Sequence, residues 1–165
     1  MVISVEHARA VVATVVDPEV PVLTLCDLGI VRDVQARNGG IEVVLTPTYS
    51  GCPATEVITS DVKKALADAG FAKVTVTHQR APAWTTDWIS AEGKRKLREY
   101  GIAPPSGTAA LLGAAQPIHI RVKNIACPRC ESSNTERLSA FGSTACKALY
   151  RCLACREPFE YFKPF

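Results

Sequence analysis

Apolar positions in the first two-thirds of the chain switch between two spacings, and the switches divide it into elements. Val5, Ala8, Val11, Val12 and Val15 recur at helical spacing behind Ser4, a residue type suited to an N-cap, which predicts a first helix over residues 5–16. Asp17-Pro18-Glu19-Val20-Pro21 ends it, because two prolines cannot continue a helical hydrogen-bond ladder. Residues 30–37 and 41–45 are strand-like, and Asn38-Gly39-Gly40 between them supplies the positive φ values of a tight hairpin. Residues 54–69 gather Val57, Ile58, Val62, Ala65, Leu66 and Ala69 on one helical face, with Gly70 placed to end the helix. A third strand over 73–78 follows. A loop marked by Pro82, Trp84 and Trp88 then leads to a helix capped by Ser90 and running to Tyr100. The pattern αββαβα describes an α+β domain over residues 1–101, a three-stranded sheet covered by helices.

Beyond it the composition changes. Residues 102–117 are rich in Pro, Gly, Ala and Ser and read as a linker, with room for a short helical turn at 109–115. The remaining 118–165 form a segment too short for a full hydrophobic core, so it calls for another source of stability. Cys127-Pro128-Arg129-Cys130 and Cys152-Leu153-Ala154-Cys155 supply one. Each pair can point two thiolates at a single ion, and the two together make a closed four-sulfur site of the structural zinc type. Residues 135–140, 148–152 and 158–162 then provide three short strands of a zinc ribbon. Glu131 and Arg156 stand where a glycine often follows the second cysteine of such a knuckle. Iron would accept the same ligands. Haem attachment needs a histidine after the second cysteine, and none is there. A dithiol oxidoreductase normally carries one such pair at a strand–helix junction.

Bulk composition bounds the function. Hydrophobic content of 47% with 21% charged residues describes a folded chain, and no apolar run approaches membrane-spanning length. The N-terminus lacks the pattern of a signal peptide, and seven cysteines partly arranged in CxxC pairs suit a reducing cytoplasm. Residues 1–117 carry 11 Lys/Arg against 12 Asp/Glu, and residues 118–165 carry 8 against 4. A four-thiolate zinc centre, at about −2, offsets much of that excess. Nucleic acid is therefore a weak expectation. There is no Ser/His/Asp set and no Gly-rich phosphate loop, so direct catalysis is not expected either.

Cys52 is set apart from the other thiols. It follows Gly51 and precedes Pro53, and proline favours the first helical position, which places Cys52 at or near the N-cap of the 54–69 helix. There the helix dipole favours thiolate. Thr48, Tyr49 and Ser50 add hydroxyls, and Asp17 and Glu19 come close if the first two helices pack together. The alternative is a quietly packed thiol beside turn-capping acids. Trp84 and Trp88 have two readings, as docking anchors beside a proline-rich loop or as cover for a sheet edge. His7 and His78 have no partner at ligand spacing, and His119 would ligate only in place of a cysteine. Cys146 reads as a buried small apolar residue, and Cys26 has no assigned role.

Asp17-Pro18-Glu19-Val20-Pro21, Asp27-Leu28-Gly29 and Thr46-Pro47-Thr48-Tyr49-Ser50-Gly51-Cys52-Pro53 resemble the small iron–sulfur cluster assembly domain over residues 4–100. That resemblance implies an adaptor that often self-associates, with Cys52 taking part in assembly or transfer and a cluster or iron held transiently there. The whole chain is similar to a narrower family, the PaaD-like accessory subunits of the phenylacetyl-CoA epoxidase system. The similarity runs through Ala81-Pro82-Ala83-Trp84-Thr85-Thr86-Asp87-Trp88, Tyr100-Gly101-Ile102-Ala103-Pro104-Pro105 and the stretch from Phe141 to Cys152. It implies aerobic phenylacetate catabolism, with the di-iron oxygenase or the [2Fe–2S] reductase of the epoxidase as partner. Two roles follow as expectations: a maturation adaptor working through Cys52, or a non-catalytic subunit that docks epoxidase components.

Overall fold

The computed structural model describes residues 4–49, 51–106 and 125–164, and divides into two compact units, one ending at Gly93 and one beginning at Lys94. His119, Ser50 and the short turn expected at 109–115 lie outside the described residues.

In the first unit, α1 (Val5–Val12) is capped by Ser4, whose hydroxyl accepts from the His7 N–H, and it buries Ala8 and Val12. It stops four residues short of the predicted end. Thr14 and Val15 donate to carbonyls only three residues back, and Val16 pairs with Thr24 in an isolated bridge, so the β-branched tail leaves the helix for extended backbone. β1 (Val31–Arg37) and β2 (Gly40–Leu45) form an antiparallel hairpin, with Asn38 and Gly39 both at positive φ. α2 (Ala54–Asp68) buries Ala54, Ile58, Val62 and Leu66 and returns the chain to β3 (Val74–His78). β3 lies parallel to β2, with Leu45 opposite His78, and the sheet order is β1-β2-β3. The core is Val12, Leu23, Leu25, Leu28, Val43, Leu45, Val62 and Leu66, all essentially inaccessible.

Asp27-Leu28-Gly29 is where this unit closes on itself. The Trp84 indole donates to the Leu28 carbonyl at 2.8 Å, and Ser90 N–H donates to the Asp27 carbonyl. Gly29 has φ +70°, and a Cβ there would sit 2.6 Å from the Trp88 carbonyl oxygen, so only glycine fits. Trp84 is 5% exposed, which makes it a core residue and corrects its place among the docking anchors. Trp88 is half-buried, with the Arg32 guanidinium 3.8 Å from its ring centre.

α3 (Ala91–Tyr100) begins in the first unit and ends in the second. In the second unit, β4 (Ile102–Ala103), β5 (Thr135–Ser139), β6 (Lys147–Cys152) and β7 (Pro158–Phe162) make a sheet in the order β4-β7-β6-β5. The three ribbon strands fall where the sequence predicts them. β4 was not foreseen. Ile102 and Ala103, assigned to the linker, pair in parallel with Glu160 and Tyr161, so the ribbon sheet takes in the start of that segment. Two buried apolar residues in a row suffice for one more strand beside an unfilled edge. A small core of Ala103, Ile125, Phe159 and Tyr161 packs with Cys127 and Cys152, and Tyr150 lies against it.

Candidate functional site

Two cysteine environments stand out. In the second unit, the turn after each CxxC pair folds back on itself. Glu131 N–H donates to the Cys127 carbonyl, Cys127 N–H to the Ser132 carbonyl, and Cys152 N–H to the Glu157 carbonyl. Glu131 and Arg156 take φ of 61° and 67°, the left-handed conformation that glycine usually supplies at these places. These turns bring Cys127, Cys130, Cys152 and Cys155 together, with all four sulfurs within 4.8 Å of one another. The Cys127–Cys155 and Cys130–Cys152 separations are 3.8 and 3.5 Å. A tetrahedral ion with metal–sulfur bonds of roughly 2.3 Å has sulfur–sulfur edges of about 3.8 Å, so the donor set fits zinc.

The electrostatics of the bare sulfurs point the same way. The Cys155 N–H, directed at the Cys152 sulfur from 3.5 Å, leads in holding that thiol down to about 7. The Glu157 backbone N–H favours the Cys155 anion, yet burial and the neighbouring sulfurs push that thiol up to about 12. Four thiolates cannot share this space without a cation to balance them. With all four positions taken by protein, such an ion has no site left for a substrate.

Cys52 has the opposite surroundings. Gly51 at φ +83° turns the chain, and Pro53 occupies the N-cap position of α2 in helical conformation, so the helix starts at Ala54. Cys52 therefore sits one residue before the cap, within the range expected from the sequence. Its carbonyl accepts from Thr55 N–H and its N–H donates to the Tyr49 carbonyl. The residue is half-exposed and lines an open groove of 700 Å³ with Pro47, Gly51, Pro53, Thr55, Glu56, His78 and Arg80. The His78 Nε2 is 3.2 Å from the Thr59 hydroxyl, which itself donates to the Thr55 carbonyl, so the ring is tied to the first turns of α2.

Asp17, Glu19 and Thr48 do not line that groove. Asp17 is buried, and its Oδ1 accepts from the N–H groups of Glu19 and Val20 at 2.9 and 2.8 Å, which fixes the proline-bounded turn. Thr48 is half-buried in the loop leading to Cys52. Sequence reasoning missed Glu56, His78 and Arg80 as neighbours of Cys52. The signal was available in the β2–α2–β3 order. A strand–helix–strand crossover makes β3 parallel to β2 and brings its far end beside the loop that leaves β2. Cys146 is buried as expected, and Cys26 is exposed, with burial of its thiol and then Asp27 raising its pKa.

The arrangement is that of an α+β domain followed by a four-cysteine ribbon. Family models match both parts: "Iron-sulfur cluster assembly protein" matches residues 6–77, and "PaaD zinc beta ribbon domain" matches residues 118–163. The chain is 51% identical over 96% of its length to a protein of Escherichia coli (strain K12), the putative 1,2-phenylacetyl-CoA epoxidase D subunit, and covers 92% of it. It belongs to the family of these epoxidase D subunits. Its first part is also similar to the Fe-S protein maturation auxiliary factor YitW of Bacillus subtilis (strain 168), at 38% identity over 56% of this chain and 91% of that one. A crystal structure of a DUF59 domain from Bacillus anthracis shares that fold, with a TM-score of 0.52, 31% identity, and coverage of 56% of this chain and 90% of that one. These relatives are named as a subunit and an auxiliary factor, not as catalysts. Among the described residues no helix is long and apolar enough to cross a membrane.

Proposed function

We propose that this chain is an accessory maturation factor for phenylacetyl-CoA epoxidase in aerobic phenylacetate catabolism. It assists insertion of an iron–sulfur cluster, or of iron, into a component of that system. The observation that carries the reading is the contrast in engagement: four cysteines converge on one another, while Cys52 lines an open groove whose other lining residues include no second cysteine. The cargo binds through the Cys52 sulfur, whose single bond leaves the remaining iron positions for cysteines of the client. Arg80 offers a positive charge to an anionic cluster at the rim of the groove. The ribbon, held by one structural zinc on Cys127, Cys130, Cys152 and Cys155, recognises the client. Two supports lie outside the groove: the similarity to the E. coli protein and the match to a cluster assembly family.

The test replaces Cys52 with Ala or Ser and measures the iron and acid-labile sulfide of the epoxidase reductase and the iron of its oxygenase, made in the same cells. The expected outcome is a severalfold loss of occupancy in one of them. Full occupancy of both with a folded variant would reject the role of Cys52.

The word "subunit" in the relative's name favours a second reading, in which the chain is a resident docking component. That reading predicts stable co-purification with the epoxidase and tolerance of Cys52 substitution. Self-association belongs to either reading and is checked by light scattering on the purified chain.

A further inference from the structure

Phe141 is the most exposed large apolar side chain of the chain's described residues, at 63%. A lone exposed phenylalanine is ordinary on a protein surface. The loop that carries this one is not. Phe141 N–H donates to the Ser139 hydroxyl, Gly142 N–H to the Lys147 carbonyl, Ser143 N–H to Glu160 Oε1, and the Lys163 ammonium to the Ala140 carbonyl. Beneath the loop, the Lys147 ammonium, in a side chain 3% exposed, pairs with Glu160 Oε2 at 2.8 Å. Against the cost of burial, Lys147 and the Ser143 N–H hold the Glu160 carboxyl below its usual range. A Cβ at Gly142 would come within 2.6 Å of Glu160 Oε1, so a larger residue there would have to displace the paired carboxylate.

Burying a lysine for an ion pair returns little net stability, and its best-attested use is to fix one conformation. What is fixed here is a loop that presents a phenylalanine to solvent. The Lys163 ammonium lies 4.4 Å from the centre of that ring, and residues 137–147 contain no carboxylate. Leu138, in the bulge where β5 slips against β6, is exposed as well.

We infer that the Phe141 loop is the ribbon's docking anchor for a protein partner whose surface offers an apolar pocket rimmed by carboxylates. A rigid aromatic centre loses little entropy on binding, and flanking cations set orientation and salt dependence. The inference rests on the accessory-factor reading, in which that partner is an epoxidase component.

The experiment measures the affinity of the full-length, zinc-loaded chain for the purified oxygenase and reductase components at low and high salt. Its variants are Phe141→Ala, Gly142→Ala, Lys163→Glu and, away from the loop, Val57→Ser. Phe141→Ala should weaken binding at least about 10-fold. Gly142→Ala should weaken it by moving the loop, and Lys163→Glu should weaken it severalfold and flatten the salt dependence. Val57→Ser should bind as the parent chain does, and zinc content should be unchanged throughout. Parent-like binding by Phe141→Ala overturns the docking anchor while leaving the accessory reading intact. Loss of zinc from Phe141→Ala makes it a folding residue and also overturns the anchor. A parent chain that binds neither component removes the accessory reading and the anchor together. Binding of nucleic acid through Phe141 in place of the proteins overturns the anchor as well.

Discussion

In the ribbon, four sulfurs converge within 4.8 Å on two turns and a small apolar core, whereas Cys52 stands on a loop beside a 700 Å³ groove. The same element of chemistry, a thiol near a backbone turn, is closed in one unit and open in the other. Closure serves stability, because the ion substitutes for a core that so short a segment cannot build. Openness is what the proposed delivery role requires, because a cargo bound through one sulfur could leave. The lesson is that the number of converging donors, rather than the presence of cysteine, marks a structural metal site.

The strongest way to break the comparison is to remove the metal. Chelation, or Cys127→Ser, should unfold the second unit, since apparent binding energies of small structural zinc modules are roughly 10–16 kcal/mol. The first unit should keep its helices and strands. Metal analysis together with hydrogen exchange resolved by segment would show this, and equal loss of protection in both units would contradict it.

The converse perturbation is Trp84→Ala, which empties a core position and orphans the Leu28 carbonyl. It should destabilise the first unit by about 3–5 kcal/mol while zinc content stays at one per chain. Denaturant midpoints followed separately for the two units provide the measurement. Smaller still, Glu131→Gly and Arg156→Gly should each stabilise the ribbon by about 1 kcal/mol, because both residues hold positive φ. A rise in the thermal midpoint with unchanged metal affinity would confirm the strain, and a fall would show that these side chains contribute more than their backbone costs. At the bottom of the scale, Cys52→Ala should shift stability by less than about 1 kcal/mol, whatever it does to cluster delivery.

Much of this architecture could be read from the chain. The hairpin was legible because Asn38-Gly39-Gly40 leaves few other conformations, and the ribbon because CxxC spacing dictates geometry by itself. The residues that escaped reading depend on what lies far away in sequence. Trp84 allows both a docking anchor and a sheet-edge cover until the Leu28 carbonyl is found 56 residues earlier. Asp17 could stand beside Cys52 or cap its own turn, and its carboxylate is found holding two backbone N–H groups of that turn. The overlong first helix had a local cause: its apolar spacing continues through Val15, but its β-branched residues pair better as extended chain. The Cys52 groove falls between these cases, since strand order implies its far wall while no local motif marks His78 or Arg80.

The clasp at Asp27-Leu28-Gly29 separates two meanings of the word module. The cluster assembly family match ends at residue 77, yet the indole that satisfies Leu28 and the backbone that packs on Gly29 come from residues 84 and 88. The segment that the family model matches is thus shorter than the segment that folds as one. A fragment cut at residue 77 would expose a buried carbonyl and open the core beneath it. Recombination between such proteins, natural or in the laboratory, is expected to succeed only when the crossover lies beyond the compact unit's end at Gly93.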